Sequence, residues 1–128
     1  MRDLALYFGS DLTFENVVHE LEKVFYMDIT IDQTEMGQRC QFYCLDVEFY
    51  FENYSDEEDD GNIEYSKFNY CLNFIKLNRG GFSDEYDDMY TSIAKHYTKK
   101  IANILNVNCF LIENGQFIFM QVNGQKAS

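Results

Sequence analysis

The chain has no proline, no tryptophan, few bases and no long apolar run. The first two absences carry no functional implication, but the others do. Ten Lys and Arg stand against 22 Asp and Glu in 128 residues, a formal charge of -12 at pH 7. Such a chain repels DNA, RNA and anionic lipid at long range and attracts cationic surfaces, so no nucleic-acid or membrane partner is expected. No stretch approaches the roughly 20 apolar residues that span a bilayer. The opening Met1-Arg-Asp-Leu-Ala-Leu-Tyr-Phe8 has too short an apolar core for a secretory signal. Cysteine is scarce as well, with Cys40, Cys44, Cys71 and Cys109 scattered along the chain. A chain of this length builds a core without a disulfide framework, and a reducing, cytoplasmic compartment is the simpler expectation.

What is present is apolar and aromatic material. Hydrophobic residues make up 46% and Phe with Tyr 17%, enough to build one core despite the charge. Neither a repeat nor a linker divides the chain, so residues 1–128 are expected to form a single α+β domain, with 124–128 frayed. In Thr13-Phe-Glu-Asn-Val-Val-His-Glu-Leu-Glu-Lys-Val-Phe25, the residues Phe14, Val17, Val18, Leu21, Val24 and Phe25 recur at helical spacing. Thr13 is the expected N-cap, because its hydroxyl can accept an orphan amide proton of the first turn. A short strand is expected at Ile29-Thr-Ile31.

Gln41 to Glu52 alternates Leu45, Val47, Phe49 and Phe51 with Cys44, Asp46, Glu48, Tyr50 and Glu52. Period two predicts one antiparallel strand with one wet face. Residues 63–78 carry a second such parity in Phe68, Tyr70, Leu72 and Phe74, so the two runs are expected to pair as a hairpin. Ser83 is the expected cap of a second helix, with acids near its positive end and Met89, Ile93, Tyr97, Ile101, Ile104 and Leu105 as its buried stripe. Asn114-Gly115 between two strand-like runs is a strong hairpin signal, since both residues tolerate positive φ. The expected order is α-β-β-β-α-β-β, a mainly antiparallel sheet with two amphipathic helices.

The run Asp56-Glu-Glu-Asp-Asp60 is the most conspicuous chemical feature. Asp56, Glu58, Asp60 and Gly61 match the start of a calcium loop, but Lys67 stands where the closing bidentate Glu is required, and strands rather than helices flank it. A zinc site is not expected either: Cys40-x3-Cys44 is half a ligand set with no second local pair, while His19 and His96 fall on separate helices. Four independent small apolar side chains explain the cysteines better, although Cys44 and Cys71 can be cross-strand neighbours. No nucleophile elbow, oxyanion loop or sealed carboxylate pair accompanies them, so no catalytic residue is assigned and no enzyme activity is expected. Arg79-Gly-Gly-Phe-Ser83 lacks the Walker lysine and the full dinucleotide glycine pattern, and reads as a turn. No metal or cofactor is expected.

A binding face remains. Asp46, Glu48, Tyr50 and Glu52 share the solvent parity of one strand, and Asp56, Glu57, Glu58, Asp59 and Asp60 continue from its end. Tyrosines supply amphipathic anchors, while carboxylates orient a basic partner and accept bidentate arginine hydrogen bonds. Asp84, Glu85, Asp87 and Asp88 form a possible second acidic patch. The structural alternative is a solvated acidic surface that serves solubility alone. In size, acidity, α+β order and Tyr/Asp/Glu-rich central strands, the chain resembles bacterial toxin-immunity proteins of the contact-dependent or polymorphic-toxin systems. That resemblance implies a cognate toxin as the basic partner, often a nuclease whose active site is blocked; it carries no motif by which residues could be matched. The competing expectations are a homo-oligomeric structural or adaptor protein using the edge strand Phe117 to Val122, and a small hydrolase.

Overall fold

The computed structural model describes residues 3–53, 63, 67–77 and 83–124. The stripe over residues 13–25 forms α1 (Phe14–Phe25), and every residue of the stripe is buried. Thr13 caps it as expected: its Oγ1 accepts the Asn16 amide at 3.3 Å. Its last turn closes on Tyr26, left-handed at φ 57, whose amide bonds the Glu22 carbonyl. The second helix, α2 (Asp84–Leu105), starts at Ser83, whose hydroxyl accepts the Tyr86 amide. Its buried stripe runs through Tyr90, Ile93, Ala94, Tyr97, Ile101 and Ala102. Ile93, Tyr97 and Ile101 are buried as expected and Leu105 packs against the core, whereas Met89 and Ile104 are exposed. No described helix is long and apolar enough to cross a membrane.

Among the described residues seven strands form one sheet. They are β1 (Leu4–Phe8), β2 (Asp32–Thr34), β3 (Gly37–Cys44), β4 (Val47–Asn53), β5 (Tyr70–Lys76), β6 (Cys109–Glu113) and β7 (Phe117–Val122). Their order is β2-β3-β4-β5-β1-β6-β7, and each neighbouring pair is antiparallel. The α+β class, the antiparallel sheet and the two helices are therefore as expected, and the element order needs three corrections.

First, β1 precedes α1 and lies between β5 and β6. Second, residues 41–52 are not one strand: Leu45 and Asp46, at φ 51 and 62, turn the chain sharply between β3 and β4. Both residues therefore sit on a turn, outside the alternation assigned to them. Third, the short strand is Asp32–Thr34 rather than Ile29–Ile31, and β5 begins only at Tyr70. The expected hairpin pairing nonetheless exists, because β4 and β5 run antiparallel with Phe49 opposite Phe74 and Phe51 opposite Leu72. Asn114 and Gly115, at φ 52 and 68, turn β6 into β7 as expected.

Both helices pack on one side of the sheet. Leu4, Leu6, Phe8, Phe42, Val47, Phe49, Phe51, Leu72, Phe74 and Leu111 face them in a continuous core. Phe14 stacks on Phe51, and Phe25 packs edge-on to Phe42 and Phe49. Neither α1 nor α2 lies on the opposite side. Over its β1–β6 part lie Ile63 and Phe68, packed with Ile112, Tyr7 and Phe110. At the far end of the chain, Gly124 lies against the Asn106–Val107 backbone, where a Cβ would approach within 2.6 Å, and its amide bonds Asn108.

Candidate functional site

The side of the sheet away from α1 and α2 is the candidate site, and strand register builds it. Three cross-strand rows align β3, β4 and β5: Arg39, Glu52 and Cys71; Gln41, Tyr50 and Asn73; Tyr43, Glu48 and Ile75. Period two places all nine side chains on the face opposite the helices. Glu48, Tyr50 and Glu52 are half-buried there, while Arg39, Gln41, Tyr43 and Ile75 are exposed. The parity expected for Glu48, Tyr50 and Glu52 is thus the observed one. Asp46 belongs instead to the turn, where its carbonyl accepts the Tyr86 hydroxyl at 2.7 Å.

The β4 carboxylates are oriented by β3. Gln41 donates to Glu48 at 2.7 Å, and Arg39 donates to the Tyr50 hydroxyl at 3.0 Å with its guanidinium 5.8 Å from the ring centre. Burial raises the Glu52 pKa, and that effect outweighs the lowering by Arg39 and by a hydrogen bond from Tyr50. Partial removal from water therefore penalises the charged form of this carboxylate on balance. Arg39, Gln41 and Tyr43 were not singled out from the sequence. The signal lay in the switch of apolar parity from Cys40 and Phe42 to Val47 and Phe49, which requires a turn between them.

Beside the grid, the small side chain of Ala5 leaves a shallow groove of about 580 Å³ over β1. Asp3, Tyr7, Asn73, Ile75, Ile112 and Asn114 line it. The Asp3 amide donates to the Asn114 side chain, which fixes that end of the groove.

The acidic run Asp56 to Asp60 lies outside the described residues. In the sequence it follows Asn53, the last residue of β4. Asp84, Glu85 and Asp88 are exposed at the start of α2, near the Leu45–Asp46 turn and the opposite end of β4. Asp87 is drawn inward: it pairs with Lys76, whose side chain is 5% exposed and whose ammonium lies 4.8 Å from the Tyr90 ring centre.

The remaining reactive side chains are dispersed. Among the described residues no three His, Cys, Asp or Glu converge as metal donors. Cys40 and Cys44 share the helix-facing parity of β3 four residues apart, roughly 13 Å along an extended strand. Cys71 points to the other side, and β4 separates it from Cys44, so these two are not cross-strand neighbours. Burial pushes the Cys40, Cys71 and Cys109 thiols up to about 12, far from nucleophilic thiolates at neutral pH. His19 lies 3.6 Å from Glu22 on α1, and His96 packs edge-on to Tyr97 on α2. Comparison with family models, curated proteins and solved structures gives no match.

Proposed function

We propose that the chain is a binding protein that neutralises a basic protein partner, in the manner of an immunity protein covering the active site of its cognate toxin. One observation carries this reading: Glu48, Tyr50 and Glu52 stand together on the sheet face away from α1 and α2, and a five-acid run follows a few residues later in the sequence. The formal charge of -12 supports it through steering, and the raised Glu52 pKa supports it through a carboxylate that a cation would relieve. The protein acts by occlusion and makes or breaks no bond. A tyrosine between two carboxylates supplies the apolar contact that a purely electrostatic surface lacks.

The test is affinity capture from the native organism followed by titration of any recovered partner. Expected is a basic protein whose affinity falls with salt and falls again when Glu48 and Glu52, or Asp56 to Asp60, are changed to their amides. A partner bound equally well by both amide variants removes the acidic face from the interface. A second reading has its own observation: β7 is the last strand of the sheet, holds no charged residue and exposes Phe117 and Ile118. Such an edge suits pairing with a second copy. Light scattering that returns twice the 15.2 kDa of one chain, reduced to a monomer by Ile118→Lys, favours that adaptor role.

A further inference from the structure

Within that same face, and resting on the reading of it as a surface for a basic partner, the groove over Ala5 has a chemistry of its own. Its floor is apolar and small because β1 presents Ala5 where the flanking rows present Asn73 on β5 and Ile112 on β6. Ile75 and Ile112 add apolar walls, and Tyr7 closes one end, backed by the Phe68 ring at 5.8 Å. Asp3 closes the other end, two residues along β1 on the same parity. Lys76, which also borders the groove, is turned to Asp87 and Tyr90 on the helix side. A shallow groove with an apolar floor and a carboxylate at one end matches a side chain with an aliphatic stem and a cationic head.

We infer that the groove over Ala5 is the anchor site for an arginine side chain of the partner. Its stem lies along Ala5 and Ile75, and its guanidinium meets Asp3 and the Asn114 amide oxygen. Arginine fits better than lysine because its planar fork donates to two acceptors at once and is more weakly hydrated than an ammonium. The acidic grid beside the groove then steers the partner, while the groove sets which residue docks.

The probe is an oligoarginine peptide, with oligolysine as control, titrated into the full chain and followed by amide chemical shifts at low salt. Expected are shifts at Ala5, Tyr7, Asn73 and Ile112, tighter binding of oligoarginine, and about a tenfold loss of affinity in either Ala5→Leu or Asp3→Lys, equivalent to one good charge-assisted contact. Ala5→Leu fills the groove without changing charge. Asp3→Lys alters an exposed side chain and leaves the sheet core untouched, so it reports even where Ala5→Leu disturbs the fold. Binding that shifts only β3 and β4 amides and ignores both variants overturns the groove while leaving the acidic face standing. Equal affinity for the two peptides overturns the choice of arginine. Failure of both peptides to bind overturns the anchor and the acidic face together.

Discussion

The Tyr90 hydroxyl ties three elements at one buried point. It accepts the Leu4 amide at 2.8 Å and donates to the Phe74 carbonyl at 2.7 Å, so α2 is fastened where β1 and β5 meet. Tyr90→Phe keeps the ring and strands both backbone groups without a partner in the core. The expected loss is about 1–3 kcal/mol, read as a lower urea midpoint with an unchanged denaturant slope. Three cysteines set a second expectation, in pH. Cys40, Cys71 and Cys109 titrate near 9.0 when unfolded and are held up to about 12 by burial in the fold. The unfolded chain therefore releases these protons first. Their contribution to stability is complete below pH 9 and is lost as pH rises towards 12. Burial shifts Tyr70, Tyr90 and Tyr97 upward and acts in the same direction at still higher pH. Urea unfolding across this alkaline range is expected to show a falling midpoint, with a shallower fall in Cys109→Ala. A flat profile would show that these thiols are not shielded.

The β3–β4 hairpin shows where local chemistry and fold disagree. A two-residue turn with positive φ at both positions favours Asn-Gly, the pair that the β6–β7 hairpin carries at 114 and 115. The β3–β4 turn carries Leu45 and Asp46 instead, and each side chain pays a steric cost of about 1 kcal/mol or more in the left-handed region. Tertiary contacts hold it there: the Tyr86 hydroxyl donates to Asp46 and accepts the Leu77 amide at 3.0 Å. Replacing Leu45-Asp46 with Asn-Gly is expected to raise stability by about 1–2 kcal/mol, seen as a higher melting temperature. An unchanged or lower value would mean that exposed Leu45 contributes contacts that offset its strain. The same disagreement explains what the sequence concealed. With no glycine at 45–46 and a leucine in the first turn position, residues 41–52 read as one strand, and the grid lost its β3 column of Arg39, Gln41 and Tyr43. Leu4 to Phe8 was hidden for a different reason: Leu4, Leu6 and Phe8 meet the helices while Tyr7 lies under Phe68, so both parities are apolar and no alternation marks the strand. Helix α1 and the Asn114–Gly115 turn were legible because propensity, periodicity and tertiary structure agree there.

For the whole molecule, the question is whether repulsion or pairing governs the response to salt. Exposed attractive pairs among the described residues include Glu20 with Lys23 at 3.2 Å, and His19 with Glu22 when the imidazole is protonated. Each such pair contributes about 0–1 kcal/mol. The Lys76–Asp87 pair is largely withdrawn from solvent on the lysine side, so added ions screen it little. Against these stands an excess of 12 negative charges, whose mutual repulsion opposes the compact state. Salt is therefore expected to stabilise the free protein: its melting temperature should rise between about 0.01 M and 1 M NaCl, as the Debye length falls from roughly 30 Å to 3 Å. A fall over that range would mean that attractive surface pairs outweigh the net charge. Partner binding through the acidic face must respond with the opposite sign, because screening weakens attraction between unlike surfaces just as it weakens repulsion within this one. Thermal melts and partner titrations on one salt series thus separate the two roles of the charge. An affinity indifferent to salt, beside a melting temperature that climbs with it, would leave the acids a part in the protein's self-repulsion and none in recognition.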